Sequence, residues 1–249
     1  MKNETRLGLA VASILAVFCT GANAAPVVLA NQGFESGLTG WTSTGSVAAA
    51  GETSVVTSGS DWIIAPYQTQ MAYLDGSGAF ASGLDNFFGL SAGTIDAAVA
   101  GDDIVTNGAG IQQSFTGHAG ETVTQFWDFV ARDSAIYSND SAFVVVNGQV
   151  TVLASIQDGG IAVGSYGNSD WQSFSYTLPA DGAYTLGFGV VNTGDFVARG
   201  ALFLDNQAAG FVPDAQSAST VPEPETVTLL LAGLGLLGFM TKRKNSFDM

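Results

Sequence analysis

Positive charge is nearly absent from the body of this chain. Lys and Arg number 7 against 22 Asp and Glu over 249 residues, for a formal net charge of −15. Five of the seven, Lys2, Arg6, Lys242, Arg243 and Lys244, lie near the two ends, which leaves Arg132 and Arg199 and no lysine between them. Such a surface repels nucleic acid and anionic lipid, which excludes both as partners of the central region. The same surface suits an extracellular module and attracts divalent cations. Cysteine is equally scarce. Cys19 stands alone, in a segment expected to be removed, so disulfide and thiol chemistry are excluded from the mature chain. His118 is the single histidine, set in the turn-like Thr116-Gly117-His118-Ala119-Gly120. A catalytic triad needs a serine and an acid positioned around such a residue, and the sequence indicates neither. Phosphate loops, His-rich metal motifs and nucleotide fingerprints are missing too. No catalytic residue is assigned, and a non-enzymatic protein is expected. Disorder, the usual consequence of strong net charge, is opposed by 47% hydrophobic content and 16 Phe.

What is present is most specific at the ends. Met1 to Arg6 is charged, Leu7 to Phe18 is apolar, and Ala22-Asn23-Ala24 is a small-residue cleavage site. That is a secretory signal peptide over 1–24, with Ala22 and Ala24 flanking the cut and Ala25 the first mature residue. At the other end Val221-Pro222-Glu223-Pro224-Glu225 precedes an apolar run from Val227 to Met240, closed by Lys242-Arg243-Lys244. Pro222 and Pro224 prevent a helix from running in from the amino side. The run gives roughly 14 helical residues, about 21 Å against a hydrocarbon core of about 30 Å. A membrane helix over 226–241 is expected, with the basic triplet on the cytoplasmic side and the bulk of the chain outside. Residues 221–245 resemble the PEP-CTERM sorting signal of Gram-negative bacteria, carried by Val221, Pro222, Glu223 and Pro224, the apolar helix and the basic finish. The resemblance implies an exosortase and the inner membrane as partners during sorting. It also implies a final place at the cell surface or in the extracellular polysaccharide matrix.

Between these signals, residues 25–207 read as one all-β domain, followed by a linker of small and polar residues over 208–220. Strand-like alternation marks Gln70–Leu74, Ala109–Phe115, Val123–Ala131, Ala142–Val146, Val150–Ile156 and Ala201–Gln207. Asn147-Gly148 between Val-rich runs predicts a two-residue hairpin. Trp171–Leu178 and the run from Tyr184 to Val190, joined by a turn at Pro179–Gly182, read as an antiparallel pair sharing an apolar face with Phe174, Tyr176, Leu186 and Phe188. Leu84–Leu90 and Thr94–Val99 read as short helices over one end. Many short strands with Gly-rich turns predict an antiparallel β-sandwich.

Two stretches carry a further resemblance. Asn31-Gln32-Gly33-Phe34-Glu35 with Gly40-Trp41, and Ala201-Leu202-Phe203-Leu204-Asp205-Asn206, look like the opening and closing strands of galactose-binding-like jelly rolls, the fold of many carbohydrate-binding modules. That resemblance implies a structural Ca²⁺ shared by Glu35 and Asp205, with backbone carbonyls completing its shell. The alternative is that Glu35 accepts backbone hydrogen bonds and Asp205 caps a strand end. A second, weaker metal candidate is the loop cluster Asp133, Asn139 and Asp140, whose residue types also serve turns. Sugar binding needs exposed rings beside polar groups, and Trp62, Tyr137 and Tyr166 sit in stretches that read as loops. The function expected is a non-enzymatic, matrix-associated module that binds extracellular polysaccharide. The alternatives are an extracellular carbohydrate-active enzyme with two facing carboxylates, or a purely structural adhesion protein.

Overall fold

Alternation of Val, Ile, Leu and aromatic residues with Ser, Thr and Gly folds this chain into strands that turn one face to a shared core, while Ser141–Val146 and Ala201–Asp205 are buried on both faces. The computed structural model describes residues 26–51, 53–56, 60–63, 67–99 and 103–206, with backbone only at 53–56 and 60–62. The signal peptide, the linker and the sorting segment, with Ala22, Ala24, Val221, Pro222, Glu223 and Pro224, lie outside the described residues. In chain order the elements are β1 (Pro26–Val27), β2 (Thr42–Thr44), β3 (Ser46–Ala50), β4 (Thr53–Val56), β5 (Ser60–Ile63), β6 (Met71–Asp75), α1 (Ala81–Phe87) and α2 (Thr94–Val99). There follow β7 (Val105–Gly117), β8 (Thr122–Val130), β9 (Ser141–Val146), β10 (Gln149–Ser155), β11 (Ile161–Ala162), β12 (Gln172–Thr177), β13 (Gly182–Thr193) and β14 (Ala201–Asp205).

Two six-stranded sheets stack face to face. In the first, β8, β14, β6 and β3 lie side by side, and both β1 and β12 also pair with β8. In the second the order is β11-β10-β9-β13-β7-β2. Pairing is antiparallel except at β1–β8 and β10–β11. Between the sheets lies the main core, with Phe34, Trp127, Phe129, Leu202 and Leu204 from one side and Ile111, Val144, Leu186 and Phe188 from the other. The architecture is the expected all-β antiparallel sandwich. The expected hairpin is present: Val146 pairs with Gln149 across Asn147 and Gly148, both at positive φ (47° and 82°), as a type I′ turn demands.

Two readings change. Asn31–Glu35 is not a strand but a run of turns, with Asn31 and Phe34 at φ 49° and 57°. Gln113 clamps this segment, its amide bonding the Ala30 N–H and the carbonyls of Ala30 and Gly40. Nor do β12 and β13 pair with each other: β12 joins β8, while β13 lies between β7 and β9. The turn between them crosses from one sheet to the other. Phe174 and Phe188 therefore share the core by facing across it, with ring centroids 6.1 Å apart and near-perpendicular. Alternation fixes which face a strand buries, not which strand it pairs with.

The helices cover part of the outer face of the second sheet rather than one end. Leu84 and Phe88 at α1, and Ile95 and Val99 on α2, pack on Phe143, Val145 and Val191. Asp85 joins the two helices, accepting from the N–H groups of Gly93 (2.6 Å) and Ile95 (3.0 Å). Glycine makes room beneath them: a Cβ on Gly110 or Gly187 would collide with the Phe88 ring, and one on Gly189 with Phe143.

Candidate functional site

The sandwich has two ends, and candidate groups collect differently at each. The near end holds the turns 117–122 and 177–182 and the β1–β8 pairing. The far end holds the connections 131–140 and 194–200.

On the near half of the second sheet's outer face, where the helices stop, an open groove of about 610 Å³ remains. The outward-facing positions of β2, β7 and β13 supply its floor: Thr42, Gln112, Ser114 and Thr185. Phe87 and Phe88 form a wall, and Asn147 closes one side. The Gln112 Nε2 group donates to the Phe87 carbonyl (2.8 Å), tying floor to wall. Ser114 and Thr185 touch through their hydroxyls at 3.3 Å. A volume in this range is that of an ordinary small-ligand site, and the chemistry is neutral: hydroxyls and amides beside an aromatic edge. None of the lining side chains is acidic or a histidine. Sequence reasoning missed this groove. Its signal was the polar phase of β7, Gln112 and Ser114, on a strand whose opposite face is core.

The structure brings Glu35 and Asp205 to one segment. Glu35 Oε1 accepts from the N–H groups of Thr69 (2.9 Å) and Gln70 (2.8 Å), and Oε2 from the Thr69 hydroxyl (3.1 Å). Asp205 accepts from the N–H of Tyr67 (3.0 Å) through Oδ2 and of Asn206 (2.7 Å) through Oδ1. Burial pushes the Asp205 carboxyl up to about 7; those two N–H groups pull it down, and the charge of Glu35 pushes it up again. Behind it, buried Gln125 donates to the Asp205 carbonyl while its own Oε1 finds no partner. An oxygen-rich, negatively charged neighbourhood with an unsatisfied carbonyl-type oxygen fits a hard cation. The hydrogen bonds seen are also those of the purely structural alternative.

Asp133, Asn139 and Asp140 lie at the far end, but not as one set. Asn139 is spent on the loop beyond β10: its Oδ1 accepts from the N–H groups of Gln157 (2.8 Å) and Asp158 (3.3 Å). Asp140 is fully buried and accepts from the N–H groups of Thr193 (3.0 Å) and Gly200 (2.6 Å). Burial pushes its carboxyl up to about 7; the two N–H groups pull it down, and the charges of Asp133 and Asp195 push it up. Asp133 accepts the Ser134 N–H (2.6 Å) through Oδ1. Among the described residues no group of three or more His, Cys, Asp and Glu is placed to hold a metal.

The aromatic candidates divide as well. Tyr137 is 70% exposed and Tyr166 41% exposed, and both border the Asp133 loop, since the Tyr166 N–H donates to the Asp133 carbonyl and the Tyr137 N–H to that of Ser134. Trp62 lies on β5, paired with Ser54 of β4, and its side chain is outside the described set. Neither tyrosine borders the groove. His118 lies in a near-end turn, its Nδ1 3.6 Å from an Asp181 oxygen, both well exposed.

Fold and site together define a two-sheet sandwich with an acidic surface and a neutral polar groove. Residues 220–244 match the PEP-CTERM protein-sorting motif, which marks the chain as exported and held transiently at the membrane through its carboxy-terminal segment. No match is found among curated proteins. Similar solved structures include TmCBM61 in complex with β-1,4-galactotriose, at 13% identity over 70% of this chain and 91% of that one, TM-score 0.35. Another is the CBM22-1 xylan-binding domain of Xyn10C from Paenibacillus barcinonensis, at 17% identity over 76% and 100%, TM-score 0.32. A third is the K3 adhesin domain of Lys-gingipain from Porphyromonas gingivalis, at 14% identity over 70% and 93%, TM-score 0.36. Among the described residues no helix is long and apolar enough to cross a membrane, and the expected 226–241 helix lies outside them.

Proposed function

We propose that this protein is a non-catalytic saccharide-binding module, sorted by an exosortase-type system to the surface or polysaccharide matrix of a Gram-negative bacterium. The observation that carries the binding is the groove. Its hydroxyls and amides (Thr42, Gln112, Ser114, Asn147 and Thr185) match sugar hydroxyls, and the Phe87 wall offers an apolar surface to sugar C–H groups. A glycosidase needs two carboxylates on either side of the bond it cleaves, and the groove lining offers none, which favours retention over turnover. A structural Ca²⁺ at Glu35 and Asp205 belongs to the same reading, supported by the shared 67–70 segment and the unsatisfied Gln125 oxygen. It would fix the turns 31–40, of which Gly40 borders the groove.

The test is affinity electrophoresis of the exported protein in the producer's own polysaccharide. Retarded migration with unchanged polymer length is expected. Free migration removes the binding and leaves the structural, adhesive role. Shortening of the polymer replaces the module with an enzyme.

A further inference from the structure

The far end closes the space between the sheets with oxygen atoms rather than hydrocarbon. On β9 and β13 the even-numbered residues face the core: Ala142, Val144 and Val146 on one, Leu186, Phe188 and Val190 on the other. Val191 pairs with Ser141, so one step further out Asn192 lies opposite Asp140, and both point inward. Ser138, two residues before Asp140, closes the turn over 134–138, its N–H donating to the Ser134 carbonyl. From the first sheet, Phe129 and Ala131 face the core, and Asp133, in the bend beyond β8, lies close enough for its charge to act on Asp140. All four are at least nine-tenths buried. Three of them keep an oxygen with no hydrogen-bond partner: Asp133 Oδ2, Ser138 Oγ and Asn192 Oδ1. Buried oxygens left this way are costly.

Among the described residues no cation answers them. Arg132 and Arg199 are both engaged with Asp75, which projects from the opposite face of the first sheet. Two carboxylates are therefore buried among neutral oxygens with no positive charge from the described residues, which burial disfavours.

We infer that Asp133, Ser138, Asp140 and Asn192 form a divalent-cation site that ties the 131–140 connection to β13 across the far end of the sandwich. The donor set is oxygen only, irregular and mixed in charge, which suits Ca²⁺ better than Mg²⁺. Asn139, grouped with these acids by sequence, is not part of it: its Oδ1 is already taken by the N–H groups of Gln157 and Asp158. The ion would hold in place the loops that display Ile136, Tyr137, Phe196 and Val197, all more than half exposed. The site is separate from Glu35 and Asp205 and does not depend on saccharide binding.

The experiment is calcium titration by calorimetry on the EDTA-stripped full chain after export, paired with limited proteolysis of the 131–140 connection. Wild type is expected to bind Ca²⁺ and to lose cleavage in that connection when Ca²⁺ is added. Asp133→Asn is expected to weaken the binding by about tenfold or more, since affinity follows ligand charge. Ser138→Ala, which removes one hydroxyl and is the milder change for folding, should weaken it less but measurably. The double variant Glu35→Gln with Asp205→Asn should keep the calcium-dependent protection. The site is overturned by wild type showing no calcium heat, by Asp133→Asn and Ser138→Ala both binding like wild type, or by proteolysis of the connection that ignores Ca²⁺.

Discussion

Both ends of this sandwich bury carboxylates, and they treat them in opposite ways. At the near end every oxygen of Glu35 and Asp205 accepts a hydrogen bond, and all the donors but the Asn206 N–H come from the short segment 67–70. At the far end Asp140 is similarly held, but Asp133, Ser138 and Asn192 each leave an oxygen unanswered. The near-end acids look like a site in sequence, because they sit in recognisable opening and closing stretches. The far-end group is only half visible in sequence, where Asp133 and Asp140 stand close together beside Asn139, whereas Asn192 lies 59 residues beyond Asp133. Carboxylates thus serve one end as clamps on backbone donors and the other as part of a layer in want of a charge. The demand for a ligand is read from what each oxygen lacks, not from the presence of acids.

The largest expected effect calibrates both ends at once. Phe188 is fully buried midway along β13, in the core that joins them. Phe188→Ala should cost about 3–5 kcal/mol in chemical denaturation. Its sensitivity to EDTA should stay that of wild type, because the cavity touches neither acid group. A loss of EDTA sensitivity would mean that the ends are coupled through the core and cannot be compared separately.

The next separates burial from coordination. Asp128 is buried on the outer face of the first sheet, opposite Phe203, with the Ser169 hydroxyl donating to it at 3.1 Å. Burial pushes its carboxyl from 3.8 up to about 7; the Ser169 hydrogen bonds pull it down, and the Asp170 charge pushes it up. The folded value lies above the unfolded one, so the favourable contribution is full below about pH 3.8. It is lost as pH rises to about 7 and stays level above that. At 1.36 kcal/mol per unit the loss is of order 4 kcal/mol. Asp128→Asn should flatten that part of the stability profile between pH 4 and 8, with or without Ca²⁺. An unchanged profile would show that burial alone does not perturb acids here.

How much of this was legible in sequence follows from which physical signal each feature carries. The hairpin at Asn147-Gly148 was readable because only such residues take two positive φ values in succession. The strands at Met71–Asp75, Ala201–Asp205 and their neighbours were readable from alternation, and so was the shared burial of Phe174 and Phe188. The partner of β12 was not, since a four-residue link serves a hairpin within one sheet or a crossing between two. The far-end layer was also hidden: Asp140 and Asn192 meet only once β9 and β13 are in register. The groove was half visible, in Gln112 and Ser114, but its Phe87 wall depends on a helix seated over glycines.

Removing calcium should divide the two ends. With Ca²⁺ at about 100 times its dissociation constant, an occupied site stabilises the fold by about 2.7 kcal/mol. EDTA should therefore lower the melting temperature of wild type. Glu35→Gln with Asp205→Asn should remove one part of that shift, and Asp133→Asn the other. If the near-end pair alone abolishes the whole shift, the far-end ion is absent. If Asp133→Asn alone abolishes it, the near-end carboxylates serve backbone donors only.

The smallest expected effect decides which end meets the ligand. The groove lies toward the near end, whereas the exposed rings of Tyr137 and Tyr166 lie at the far end. Thr185→Val with Ser114→Ala removes two hydroxyls from the groove floor while keeping strand-compatible shapes. The pair is solvent-exposed, so stability should move by no more than about 0.5 kcal/mol. Retention on the producer's polysaccharide should weaken about tenfold, equivalent to about 1.4 kcal/mol. Tyr137→Ala should leave retention unchanged, because its ring does not border the groove. The reverse pattern, with retention lost on replacing Tyr137 or Tyr166 and kept in the groove variant, would move the binding surface to the far end. The layer of Asp133 and Asp140 would then act as the support of the binding loops rather than as a distant closure.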